Sequence, residues 1–271
     1  MKACYVAVLV LAACGPGRTM YARYPGAPTT FDRAGSDPKA VELADKVVEA
    51  TGGRANWDKA KQIRWTVLIK DGEKTVFDGQ EAWDRWNGRH WGKIHTEQAD
   101  LVVIREIYKD IPGMFLIDGP KGLVKQPDEE ASTRKNLEVA AERWRFDTAA
   151  LCAAFLLEEP GTKITYGGET KNEDGKSLEV IKIEFDPKDA TRKGAVYQVD
   201  IDAQTHMVER FELVKPDGNV GYKVSGWVDV GGLKFPTLQS NIGYAAETIA
   251  FKDIKVGDPE DSLYSNAHGQ P

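Results

Sequence analysis

The side chains that could carry acid–base or metal chemistry are scattered along this sequence. The histidines are His90, His95, His206 and His268. His90 and His95 are five positions apart on a predicted strand, so their side chains point to opposite faces and do not form a two-histidine metal site. The acidic cluster at residues 128 to 130 and the pair Asp200 and Asp202 are typical of a solvated surface. With no catalytic motif of defined spacing, the sequence predicts no enzyme, no cofactor and no metal site. A hydrolase assembled from scattered residues stays open as an alternative.

Cys14 is the residue with the clearest predicted chemistry. It follows a positively charged start and the apolar run YVAVLVLAA at positions 5 to 13. This run is shorter than the roughly 20 residues that a membrane span needs, and it is typical of a signal peptide. The stretch LAACG at positions 11 to 15 resembles the bacterial lipobox. The resemblance implies cleavage before Cys14 and attachment of diacylglycerol, with acyl chains such as palmitate, to its thiol. An ordinary secretory signal cut near Ala13 is the alternative.

Residues 14 to 37 are rich in Gly, Pro, Thr, Arg and Ala and lack helical or strand periodicity. Such a segment cannot bury enough apolar surface to fold, so we expect a lipidated flexible tether. Position 15 is Gly rather than Asp. By the sorting rule of enteric bacteria, this favours the outer membrane with the domain facing the periplasm, and the cell surface is the other location.

Composition limits the remainder of the chain. The 271 residues carry a net charge of -6, which argues against nucleic acid as a partner. Residues 38 to 257 are enough for one domain with its own core, and residues 258 to 271 are polar and predict a flexible tail. We expect a monomer. Cys152 lies among alanines and leucines, which indicates a small buried residue rather than a reactive thiol.

The domain itself is predicted to be mainly β. A helix begins at Asp37-Pro38 and ends at Gly52-Gly53. Alternating apolar residues then predict a strand within residues 61 to 72 and further strands at 73–86, 89–97 and 100–109. The C-terminal half repeats the pattern, with strands predicted at 207–215, 219–230, 234–242 and 246–256. A helical segment covers residues 132 to 159 between the halves, with a possible break near Phe146 and Asp147. About 10 to 11 short strands with tight turns predict an unclosed antiparallel barrel or a strongly curved sheet covered by helices.

This layout resembles the periplasmic lipoprotein carriers and outer-membrane lipoprotein-sorting proteins, the LolA/LolB-like family. The resemblance rests on the first helix ending in Thr51-Gly52-Gly53, on Trp57 soon after, and on the late stretch WVDVGGLKFPT at residues 227 to 237. It covers residues 38 to 257 by architecture. It implies an apolar cavity that binds acyl chains of lipids or lipoproteins, with a role in lipoprotein sorting or lipid transport.

Seven tryptophans, five of them between residues 57 and 91, could line such a cavity or fill a core. The run at residues 111 to 117 is either a short buried strand or, by analogy with the family's membrane-anchored member, an exposed apolar loop. The predicted ligand-binding residues are Trp65, Val67, Trp83, Trp91, Met114, Phe115, Leu116 and Phe155.

Two functions stay open at this point. The interior of the sheet is either hollow and binds acyl chains, or filled by its own side chains in a scaffold that binds a protein partner. Interior alternation looks the same in both cases. Small residues at inward positions favour a hollow interior, and Gly226, Gly243, Ala245 and Ala246 are weak candidates for such positions.

Overall fold

The computed structural model describes residues 34–97, 99–108, 111–119, 122–125, 130–159, 161–189 and 191–265. The predicted signal peptide, Cys14 and the part of the predicted tether up to residue 33 lie outside these residues. The helices are α1 (Pro38–Ala50), α2 (Arg54–Lys59), α3 (Glu130–Leu151), α4 (Ala153–Leu156) and a 3₁₀ helix (Asp261–Tyr264). The strands are β1 (Gln62–Asp71), β2 (Lys74–Asp84), β3 (Arg89–Ile94), β4 (Asp100–Glu106), β5 (Ile111–Gly119), β6 (Gly122–Lys125), β7 (Thr162–Lys171), β8 (Ser177–Phe185), β9 (Val196–Asp202), β10 (Val208–Leu213), β11 (Val220–Val230), β12 (Leu233–Asn241) and β13 (Glu247–Gly257).

All thirteen strands form one antiparallel sheet that is not closed. Strands β1 to β6 form one meander and β7 to β13 another, and the pairing of β1 with β13 joins the two halves. Strands β6 and β7 are therefore the two edges of the sheet among the described residues. The segment containing α3 and α4 connects these edges. The predicted unclosed, helix-covered antiparallel sheet is confirmed, with two more strands than the upper estimate.

Helix α1 begins and ends where the sequence predicts. Asp37 is the N-cap, its side chain accepting a hydrogen bond of 2.8 Å from the Lys39 amide, and Pro38 follows at the first helical position. Gly52 adopts a φ of +118°, and a Cβ at this position would lie 2.1 Å from the Gly232 carbonyl oxygen. Glycine is therefore required there, because the backbone of the β11–β12 turn comes too close for any side chain.

The helical segment between the two halves is broken at a different place from the one considered in the sequence. Helix α3 continues through Phe146 and Asp147 and ends at Leu151, and the interruption falls at Cys152. The Asp147 side chain is buried and paired with Arg143 one turn earlier in the helix. This pairing on one helix face explains why the chain stays helical at the position where a break was considered.

The run at residues 111 to 117 belongs to strand β5 and therefore forms a strand rather than a loop, and Leu116 within it is buried. The C-terminal segment differs from the predicted flexible tail, because its 3₁₀ helix packs on the sheet. Tyr264 is buried, and its hydroxyl donates a hydrogen bond of 2.8 Å to the Gln62 side chain. Leu263 and Tyr264 are two adjacent apolar residues in a polar segment, so the sequence there has too little periodicity to predict this contact. Residues 266 to 271 lie outside the described residues.

Candidate functional site

The predicted ligand-binding residues lie on both faces of the sheet. Four of them belong to the main core between the sheet and the helices: Trp65, Val67, Trp83 and Phe155. We call the face of the sheet that carries this core the concave face. Trp91 and Leu116 are buried in a smaller cluster on the opposite, convex face, where Met114 packs at the margin and Tyr264 covers them. The side chain of Phe115 lies outside the described residues. The period-2 geometry of strands explains the split, since Trp83 and Trp91 occupy opposite faces of the β2–β3 hairpin.

Aromatic side chains fill the centre of the concave face. The rings of Trp57 and Phe155 stack with centroids 4.1 Å apart, and Trp83 meets Trp57 and Trp144 edge to face at 6.3 and 5.7 Å. All four side chains are buried. The structure therefore places the predicted wall residues Trp83 and Phe155 in a packed core at this end of the domain.

Two buried arginines fix the backbone around this aromatic core. The guanidinium of Arg85 lies 3.3 Å from the centroid of the Trp57 ring and donates to the carbonyl oxygens of Trp57 and Ala60, each at 2.6 Å. Arg192 donates to the Thr148 hydroxyl at 2.8 Å and to a Glu159 carboxylate oxygen at 3.2 Å. Arg85 therefore holds the end of α2, and Arg192 holds the last turn of α3, so both arginines have structural roles.

A second, smaller apolar cluster lies beneath α3 on the concave face among the described residues. There Leu137 and Ala140 form a small cluster with Val103 that is separate from the main core. Beside it lies a small pocket with a cavity volume of about 10 Å³, which is room for about one water molecule. We call it the α3 pocket; its lining residues are Phe77, Gln80, Glu81, His90, Gly92, Lys93, Ile94, Val103, Ala140 and Arg143. Gly92 and Ala140 are small inward residues, whereas Gly226, Gly243 and Ala245 are exposed and Ala246 is partly exposed. The small residues singled out in the sequence therefore do not create the space.

Glu81 and His90 meet at the base of the α3 pocket. Both side chains are buried, and Glu81 Oε2 lies 3.8 Å from His90 Nε2, which is too far for a hydrogen bond. Glu81 Oε2 and both ring nitrogens of His90 have no hydrogen-bond partner among the described residues. Burial raises the pKa of Glu81 to about 8, and burial lowers the pKa of His90 well below 6.5. Near neutral pH, both groups are therefore predominantly uncharged.

The charged groups around this pair are already matched to one another. On α3, Arg143 pairs with Asp147, its Nε lying 2.5 Å from the carboxylate. On β3, the ammonium of Lys93 lies 2.9 Å from carboxylate oxygens of both Asp100 and Asp118. The α3 pocket therefore combines apolar walls with an uncharged polar base that can donate and accept hydrogen bonds.

The sequence contains a signal for Glu81 in its position on β2. Glu81 is two positions before Trp83 on β2, so the two share the inward face. A carboxyl in an inward position of a strand requires a partner or an unusual role. The two aspartates predicted to be solvated are a similar case. Asp200 and Asp202 are buried; Asp202 accepts from the amides of Gln204 and Thr205 and pairs with Lys176, so it stabilises a turn.

Searches among the described residues give two further findings. Nowhere in these ranges do three or more His, Cys, Asp or Glu side chains come together as metal ligands. None of the helices in the described part of the chain has the length and apolar character needed to cross a membrane. Of the remaining histidines, His95 is exposed and lies 2.8 Å from Asp100, and His268 is outside the described residues.

The fold defines a mainly β protein, with an open, curved antiparallel sheet whose concave face is covered by helices. No family model and no curated protein matches this sequence. The chain is similar to a solved LolA superfamily protein from Nitrosomonas europaea (9% identity, 84% of this chain and 98% of that one, TM-score 0.49). It is also similar to a DUF1329 family protein from Desulfovibrio piger (10% identity, 87% and 100%, TM-score 0.48). A third is a putative outer membrane lipoprotein-sorting protein domain from Vibrio parahaemolyticus (9% identity, 83% and 96%, TM-score 0.43). LolA-like proteins, the group that the sequence resembles, are thus among the solved structures similar to this chain.

Proposed function

We propose that this protein is an exported, membrane-anchored lipoprotein that binds an acyl chain of a lipid or lipoprotein, in outer-membrane lipoprotein sorting or lipid transport. The observation that carries the proposal is the α3 pocket, a small opening with mostly apolar walls on the concave face, which an outward movement of α3 would widen for an acyl chain. The proposal assigns no catalytic step and no cofactor.

The lining of the α3 pocket suits a methylene chain. Phe77, Ile94, Val103 and Ala140 supply apolar surface on the strands and on the helix above them. The pocket itself holds about one water molecule, so an acyl chain enters only if α3 moves outward, and each methylene that is then buried contributes about 0.8 kcal/mol before the cost of association.

The predicted anchor fits this role. Attachment at Cys14 leaves 23 residues before α1 begins at Pro38. A flexible chain of that length has a root-mean-square extension of about 25 to 30 Å. A lipidated Cys14 would therefore hold the α3 pocket close to the bilayer, where acyl chains are received or delivered.

The test is the lipid content of the protein after export. The chain from residue 15 onward is exported behind a cleavable secretory signal, purified without detergent, and extracted for lipid mass spectrometry. We expect acyl lipid at close to one molecule per protein. Ala140→Phe, which fills the α3 pocket, should lower this content several-fold. Val139→Phe is the matched control, because Val139 is the neighbouring residue on α3 and is 57% exposed.

A protein-binding scaffold is the second candidate, and the filled aromatic core favours it. Strand β7 pairs only with β8 among the described residues, and its Ile164 accepts a backbone hydrogen bond from Asp37 at 2.9 Å. Such an edge can add a further strand from a partner. A monodisperse, lipid-free protein whose Ala140→Phe variant is unchanged would exclude acyl binding and favour this second function.

A further inference from the structure

Two neighbouring turns at one end of the sheet expose large apolar side chains. Ile242 and Tyr244 lie in the turn between β12 and β13, and Val76 lies in the first residues of β2, beside the turn that follows β1. The two turns touch, because the Gly72 amide donates a hydrogen bond of 2.8 Å to the Ala246 carbonyl. We call the three exposed side chains the apolar tip. They are three of the six large apolar residues that are exposed in the described ranges, so exposed apolar surface is concentrated at this end.

Hydrogen bonds hold the β12–β13 turn in a defined shape. The Asn241 side chain accepts from the amides of Gly243 and Tyr244 at 2.9 and 3.0 Å. The Tyr244 hydroxyl donates to the Asp71 carboxylate at 2.6 Å, while more than half of the Tyr244 side chain is exposed. The turn therefore presents its apolar side chains outward. An aromatic ring with a polar end suits the boundary between hydrocarbon and water.

The apolar tip lies at the end of the sheet where the predicted tether joins the domain. Just before α1, the Asp37 amide donates to the Ile164 carbonyl near the start of β7. The strand register, followed from β7 through β8, β9, β10 and β11 to β12, places the start of β7 at the same end as the β12–β13 turn. Helix α1 then runs to the opposite end, where the Lys234 amide donates to the Thr51 carbonyl at 2.8 Å.

We propose that the apolar tip docks on the surface of the bilayer that anchors the tether, with Ile242 and the Tyr244 ring at the level of the lipid headgroups. This inference rests on the membrane anchor of the proposed function and adds an orientation of the domain to it. Phe77 follows Val76 in β2 and lines the α3 pocket, so this orientation brings that pocket to the side of the domain nearer the bilayer.

The position of the tip favours a lipid surface over a soluble partner. A lipidated Cys14 would keep this end of the domain within the tether's reach of about 25 to 30 Å from the bilayer. Three apolar side chains bind a membrane weakly when the protein is free in solution. A tether makes the same contact intramolecular, so a small apolar surface is enough to keep the domain docked.

The test places an environment-sensitive fluorophore at position 242. The chain that begins at residue 15 carries an N-terminal hexahistidine tag and binds vesicles of equal parts phosphatidylethanolamine and phosphatidylglycerol that contain a nickel-chelating lipid. Ile242→Cys is labelled with nitrobenzoxadiazole, and Cys152 is buried and does not compete for the label. When the vesicles bind, we expect the emission to rise several-fold, to move to shorter wavelength and to be quenched by brominated acyl chains.

Val228→Cys is the matched control. Val228 is 37% exposed, against 36% for Ile242, and it lies near the β11–β12 turn at the opposite end of the sheet. A label there should keep its emission on the same vesicles. A second readout needs no variant: amide hydrogen exchange of residues 242 to 246 should slow several-fold on the vesicles, while exchange in the β11–β12 turn should stay unchanged.

The possible results separate docking from the proposed function. Equal responses of the labels at positions 242 and 228, with unchanged exchange at the tip, would refute docking. Protection of the tip that increases with protein concentration without vesicles would also refute it, because a second copy would then cover the tip. Neither result affects acyl binding, which the lipid content of the exported protein measures. Because the tag replaces the lipid anchor, the result does not depend on the modification of Cys14.

Discussion

Replacing Glu81 with glutamine tests whether the carboxyl at the base of the α3 pocket is buried and protonated. Burial raises the pKa of Glu81 from 4.5 to about 8, despite the opposing effect of Arg143 and Arg105. In the unfolded chain the carboxyl ionises near pH 4.5, whereas in the folded protein it keeps its proton up to about pH 8. The folded protein therefore binds more protons in this window, and the free energy of unfolding falls as the pH rises through it.

The size of the effect follows from the width of that window. A shift from 4.5 to about 8 corresponds to at most about 5 kcal/mol of stability lost between pH 4 and pH 9. Glutamine has nearly the same shape and does not ionise, so the variant lacks this loss. We expect the stability of Glu81→Gln relative to the wild type to increase by about 2 to 4 kcal/mol from pH 5 to pH 9.

The assay is urea unfolding followed by tryptophan fluorescence, with the free energy of unfolding measured at intervals from pH 5 to pH 9. His90 also titrates abnormally, since burial lowers its pKa well below 6.5. Its neutral form contributes stability that is present above pH 6.5 and lost as the pH falls below that value. His90 is present in both proteins, so its contribution largely cancels in the difference between them.

Glu73→Gln is the control for the glutamine substitution itself. Glu73 lies in the exposed turn between β1 and β2, so this variant should have nearly the same free energy of unfolding as the wild type. Parallel stability curves for Glu81→Gln and the wild type from pH 5 to pH 9 would refute the argument, because they would mean that the carboxyl at position 81 ionises alike in the folded and unfolded states.

Three further predictions concern the fold. Gly52→Ala should lower the free energy of unfolding by more than about 2 kcal/mol, because the new Cβ would collide with the Gly232 carbonyl. Gly218→Ala is the control, at a similar φ but in open space, and its free energy of unfolding should fall by less in the same urea titration. Tyr264→Ala should cost about 3 kcal/mol, measured by thermal unfolding, since it removes a buried ring from the convex face; an unchanged melting temperature would mean that the C-terminal segment does not pack there. Cys152, whose pKa burial raises to about 12, should react with a thiol reagent at pH 8 about a thousandfold more slowly in the folded protein than in urea, and equal rates would contradict its burial.

Much of the fold was predictable because local patterns determine it. The alternation of Ile63, Trp65, Val67 and Ile69 predicts a strand with one inward face, and all four side chains are buried in the structure. The cap at Asp37 and the glycines after Ala50 define α1 from the sequence alone. These features depend on neighbouring residues, so a single sequence is enough to recognise them.

The candidate site was only partly predictable. Alternation divides the residues of each strand between two faces, but it does not show which of these faces is covered by the helices. The sequence predicts that Trp83 and Trp91 both line the same cavity, but the hairpin register puts them on opposite faces. Phe155 was predicted to line a cavity, and it stacks on Trp57 in a filled core. In each case the residue type indicated that the side chain is buried. It did not indicate whether that side chain contacts a ligand or other side chains of the protein.

The sequence by itself determined a curved antiparallel sheet covered by helices and predicted an exported lipoprotein anchored through Cys14, because strand period, helix caps and a signal peptide are all local patterns. Only the tertiary structure decided that α3 crosses the concave face above β2 and β3 and leaves a pocket over Glu81 and His90. These two residues are nine positions apart and come close together through the β2–β3 register. Arg143 lines the same pocket from a helix more than fifty residues further along the chain. Their unusual pKa values arise from burial by that helix, and burial is a property of the assembled fold rather than of any segment.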